Sequence, residues 1–259
     1  MNSRRIVTLA ATSASLGLVL TAAPALADST APTAPPGSSS TVRTCSADRL
    51  SFVKARVDAA VKKREATIDK LTSALAGRPH VTDAHRSTLT STYTSDASGL
   101  TAVDATVQAD TTCAQAVSDG WKVVTDYRVY LLLVPQTHLT AAADTGTWAA
   151  GRLTAAVPKV QAAIDALTDP QEKAAAQAKL DDLTSQVAGA TSSLSGVADG
   201  VLALKPADIP AKLATIQGYR AQVATAHADL AKALADARAL RALLGHVAAA
   251  PTPTPTASS

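Results

Sequence analysis

From Leu180 onward, apolar anchors recur at Leu183, Val187, Ala190, Leu194, Val197, Val201 and Leu204, in alternating steps of three and four. Residues three and four apart share one side of a helix, whereas a strand changes side at every residue. A spacing kept for this long is incompatible with a sheet and specifies a coiled-coil-type seam. Its start is marked by Asp169 as N-cap, Pro170 at the first helical position and Glu172 where a capping-box acid belongs. Lys205-Pro206 is expected to end the helix, since proline lacks the amide donor and crowds the preceding turn.

The same period runs through the rest of the chain. Leu50, Val53, Val57, Val61, Ile68, Leu71 and Leu75 make one stripe that stops at Gly77-Arg78-Pro79. A second helix is expected from Thr82-Asp83, carrying Leu89, Tyr93, Leu100, Val103 and Val107. Another, over residues 137–168, carries Leu139, Leu153, Val160, Ile164 and Leu167. The last starts at Asp208 and Pro210, with Leu213, Ile216, Tyr219, Val223, Leu230, Leu240, Leu244 and Val247 on one side. The expected fold is all-α: an elongated antiparallel bundle of about five long helices, each roughly 45–55 Å long at full extent.

The two cysteines lie symmetrically about the first turn, Cys45 34 residues before Pro79 and Cys113 34 residues after it. An antiparallel hairpin folded at Pro79 brings them to its open end, which predicts a disulfide. Charge agrees: residues 43–78 hold nine basic and four acidic groups, and residues 81–128 hold three basic and six acidic.

The beginning of the chain specifies a compartment that permits such a bond. Arg4-Arg5, an apolar run from Ile6 to Ala23 and Ala25-Leu26-Ala27 are the parts of a secretory signal, with cleavage expected after Ala27. Arg4-Arg5 also fits a twin-arginine signal in part, leaving the export route open. Residues 28–43 and 249–259, rich in Pro, Ser, Thr and Ala, are expected to be disordered tails flanking a helical domain at 44–248. No run in the mature chain approaches the ~20 apolar residues a membrane span needs. Without Arg4 and Arg5, 22 basic residues face 21 acidic ones, so net charge gives no support to nucleic-acid binding.

One stretch departs from the Ala- and Thr-rich surroundings, "DYRVYLLLVPQTHL" at 126–139. Trp121, Tyr127, Tyr130 and Trp148 cluster around it, four of the seven aromatic residues of the chain. They are expected to pack together, because large rings fix a register that Ala and Val leave loose. Pro135 predicts a break between a third helix, 111–133, and the fourth; the competing reading is an extended strand over residues 123–134.

The combination of a cleaved signal, Ala/Thr-rich long helices and this stretch resembles secreted coiled-coil proteins of high-GC Gram-positive bacteria. Tyr127, Arg128, Val129, Tyr130, Pro135 and Asp144 carry the resemblance. It implies a helical extracellular or cell-envelope protein, and it brings neither an activity nor catalytic residues.

Signals for chemistry are sparse. His80, Asp83 and His85 flank a turn, but their spacing does not match ligands at i and i+4, and capping explains them. Arg128 lies within an apolar segment and requires either solvent or a carboxylate, with Asp104, Asp126 and Asp144 as candidates. A structural ion pair is one reading; an anion or ligand site with Tyr127, Tyr130, His138 and Asp144 is the other. His227 falls at core-like spacing. Gly189, Gly196 and Gly200 share roughly one face and mark close helix approach or self-association. The expected function is a secreted, non-enzymatic structural or protein-interaction bundle with an envelope or other protein partner and no cofactor or metal. The alternative is a ligand-binding or enzymatic bundle using the Tyr127–His138 region.

Overall fold

The computed structural model describes residues 45–249, all helix and connecting turns. The expected signal, the 28–43 segment and the C-terminal tail beyond Ala249 lie outside the described residues. The elements are α1 (Ala47–Ala76), α2 (Asp83–Ala109), α3 (Cys113–Thr125), a π-helical turn (Val129–Leu133), α4 (Val134–Asp165), α5 (Pro170–Leu194), α6 (Val197–Leu202) and α7 (Leu213–Ala249). A 3-10 turn at Pro206–Asp208 joins α6 to α7. Five long helices are present, as the spacing requires, and no residue of the described chain forms a strand.

Local chemistry explains the helix starts. Ser46, Thr82, Thr112 and Asp169 each accept a hydrogen bond from the first turn that they precede. The α1–α2 turn is clamped by Arg86, whose guanidinium donates to the carbonyls of Leu75 and Arg78 at 2.6 Å each. That places a cation where the carbonyl end of α1 concentrates negative charge.

Helices α1, α2 and α3 surround one core, built on Val61, Ile68, Leu89, Tyr93, Leu100 and Val107. The disulfide Cys45–Cys113 closes it, with Cα atoms 5.6 Å apart and the partners 68 positions apart in sequence. Helices α4, α5 and α7 form a second three-helix arrangement whose cores hold Leu180, Leu183, Val187, Leu194, Val223 and Leu240. The first half of α4 is buried nearly all round, from Pro135 through Ala150, so it is the element on which both groups pack. Only small or neutral polar residues such as Thr137, Thr140, Ala141, Ala143 and Gly146 allow that on every face.

Three expectations are corrected. The break between the third and fourth helices falls at Asp126–Arg128, and Pro135 sits inside continuous helix. The turn before Pro135 is wound as a π turn, in which Val134 N–H bonds back to Val129. This removes the need for a donor at Pro135 and widens the backbone where its ring would collide. The 123–134 segment is therefore helix and turn, not a strand.

The seam helix does not run unbroken to Leu204, because α5 ends at Leu194 and α6 resumes at Val197. Gly196, at φ 70°, takes the left-handed conformation that only glycine adopts at little cost. The seam residues on both sides of the break are nonetheless buried.

The aromatic residues do not pack together. Trp121 is 61% exposed, Trp148 48% and Tyr130 42%. The buried aromatic is Tyr93, whose hydroxyl hydrogen-bonds Thr137 Oγ1 at 2.6 Å.

Candidate functional site

The five residues Tyr127, Arg128, Tyr130, His138 and Asp144 do not form one site. Tyr127, in the connection after α3, lies half-buried against α2, where a Cβ at Gly99 would collide with its ring. Tyr130 stands at the surface under the Arg64 guanidinium, 5.3 Å from the ring centroid. His138 points outward on α4, its pKa lowered by partial desolvation and by the charge of Arg78. None of the carboxylates expected to pair with Arg128 does so.

Asp144 instead belongs to a cluster that the sequence did not announce. It is buried on α4 and accepts the Thr82 backbone N–H at 2.9 Å. His85 Nδ1 lies 2.9 Å from both of its oxygens, and His85 Nε2 lies 3.0 Å from Asp199 of α6. One imidazole thus ties the start of α2 to α4 and α6. Burial would lower the His85 pKa, but the hydrogen bonds and charges of Asp144 and Asp199 outweigh it and raise it. The other histidine of the turn, His80, stacks on Trp148 at 3.7 Å, so the two turn histidines face different partners. His227 is half-buried, and desolvation lowers its pKa.

Arg128 occupies a different setting. It ends the α3–α4 connection and lines a cavity of about 80 Å³ with Asp96, Thr92, Gln136 and Lys205. The apolar walls are Leu132, Leu133, Leu202, Leu204 and Pro206. Gln136 fixes the far wall by donating to the Val201 and Leu204 carbonyls at 2.9 and 3.0 Å. The Arg128 Nε is buried and has no hydrogen-bond partner among the described residues. Asp96 faces the same space, and burial pushes its carboxyl up to about 6. Sequence reasoning singled out Arg128 from its apolar neighbours but missed Asp96, which is one of many polar residues along α2.

Helix α3 presents a second candidate surface. Ala116 and Val123 point into the core, and Gly120 lies against Val57 of α1. One position further on, Val117, Trp121 and Val124 form an outward stripe, 46%, 61% and 40% exposed. Apolar residues therefore occupy both faces of this short helix. Of the three glycines, Gly200 lies against the Tyr219 ring, Gly189 lies near Asp229, and Gly196 has open space beside it.

Among the described residues, no helix is long and apolar enough to cross a membrane, and no three His, Cys, Asp or Glu side chains converge as a metal site. Comparison with protein-family profiles, with curated proteins and with solved structures finds no match to this chain.

Proposed function

We propose that the protein is an exported, non-enzymatic interaction bundle that binds a protein of the cell envelope or its surroundings. In this reading residues 1–27 are removed as a signal peptide and the chain works outside the membrane. The disulfide fits an oxidising compartment, where such bonds persist. The observation that carries the reading is the outward stripe of α3. Trp121 exposes most of its surface between Val117 and Val124 on a helix whose other face already fills the core. Exposed tryptophan among apolar neighbours is the kind of anchor on which protein interfaces concentrate their energy.

The protein beginning at Asp28, coupled to a matrix, should retain a defined envelope protein of the producing cell. Val117→Lys with Trp121→Lys should abolish retention while leaving helix content and melting temperature unchanged. Equal retention by wild type and the double variant would overturn the reading.

A further inference from the structure

We propose that the cavity between Arg128 and Asp96 binds a small zwitterion, an α-amino acid of glycine-like size. Two opposite charges line one space without meeting. Arg128 makes no side-chain hydrogen bond or ion pair among the described residues, and its Nε is closed off from solvent. Asp96, on α2, likewise has no side-chain hydrogen bond or ion pair among the described residues. Among the described residues, Lys205 is the one other charged residue at the cavity, and it is exposed.

A guanidinium is a planar fork of donors that matches a carboxylate in a bidentate pair. A simple anion held there would face the Asp96 carboxylate across the cavity, and a simple cation would face Arg128. A molecule with a carboxylate at one end and an ammonium at the other satisfies both walls. The available volume, about 80 Å³, is about half that of an apolar cavity that accepts a six-membered carbon ring. It therefore limits the guest to on the order of five non-hydrogen atoms, which leaves no room for a side chain beyond the zwitterion itself.

The Gln136 bonds to Val201 and Leu204 hold the wall in place, so the cavity is largely formed before anything enters. Its position, where α2, the π turn and the 202–206 segment meet, also lets a guest link the first group of helices to the second.

Calorimetric titration of the purified protein with glycine, acetate and methylammonium tests the proposal, because the last two each carry half of the zwitterion. At about pH 7.5, where Asp96 is ionised, glycine should bind measurably and the other two at least tenfold more weakly, roughly the value of one lost charge contact. Asp96→Asn and Arg128→Gln should each weaken glycine binding by roughly 30-fold or more, with circular dichroism confirming the fold. Wild-type affinity should also fall as pH drops through about 6 and Asp96 takes up a proton. Absence of glycine binding, acetate binding as tightly as glycine, or glycine affinity unchanged in the Asp96→Asn variant would each overturn the proposal. The Asp96 variant guards against misreading a folding defect in Arg128→Gln, since replacing a carboxyl without hydrogen bonds removes no structural contact.

Discussion

Tyr93 and Tyr130 show how little residue type decides by itself. Tyr93 lies at a core position of α2 and keeps its hydroxyl bonded to Thr137 inside the bundle. Tyr93→Phe should cost about 1 kcal/mol by removing one buried hydrogen bond, since Thr137 still donates to the Leu133 carbonyl, and Tyr93→Ala about 3–5 kcal/mol by opening a cavity. Tyr130→Ala should cost less than about 1 kcal/mol, because it loses a half-exposed ring, one cation–π contact and one long, exposed hydrogen bond to the Lys63 carbonyl. Urea denaturation of the three variants checks the order.

His85 gives a pH prediction at the same scale. Its pKa is raised in the folded state, so its contribution is fully present below the unfolded value near 6.5 and is lost as pH rises through the higher folded value. Stability measured at about pH 5.5 and about pH 9 should differ in the wild type and differ less in His85→Gln.

Between elements, connections rather than helices set the arrangement. The Ser195–Gly196 break lets the seam turn away from α5 while Val197 and Val201 stay buried. Gly196→Ala should cost about 1–2 kcal/mol, as expected for a side chain placed in the left-handed region, and Gly196→Asn less. The thermal midpoints of the two variants test this. Helix α5 is fastened to α7 by Asp236, which is nearly buried and accepts from Lys179 at 2.9 Å and Gln186 at 3.0 Å. Along α1 and α2 the crossing contacts are more exposed, such as Thr101 to Glu65 and Lys54 to the Gln108 carbonyl, and they add register more than energy.

Across the whole molecule, the disulfide governs one group of helices and leaves the other to its own packing. Cross-linking residues separated by 68 positions should stabilise the fold by about 4 kcal/mol in the chain-entropy account. Cys45→Ser with Cys113→Ser should therefore lower the melting temperature while most helix remains. Hydrogen exchange should accelerate first in α1 and α3 and last in the α5–α7 core. Uniform acceleration through all helices would show instead that the two groups unfold as one unit.

The sequence by itself determined helix class, the five long elements, the Asp169 cap, a helix start at Thr82-Asp83 and the cysteine pairing. Each is written in local spacing: a period near 3.6, a capping side chain, or equal arms about a turn. The buried seam was equally legible, since Leu180 through Leu204 are inside even though the helix is broken between them. Only the tertiary structure decided where the connection before α4 falls, because the π turn that accommodates Pro135 depends on what packs around Val129, Leu132 and Leu133. It also decided which aromatic is buried, since the spacing of Tyr130 and Trp148 does not state which side of a helix a neighbour will cover. The candidate sites were least legible of all. Asp144 meets His85 across 59 positions, and Arg128 shares a cavity with Asp96 and Lys205 from three different parts of the chain. Charges brought together by folding leave no mark on local periodicity, so packing alone assembles them.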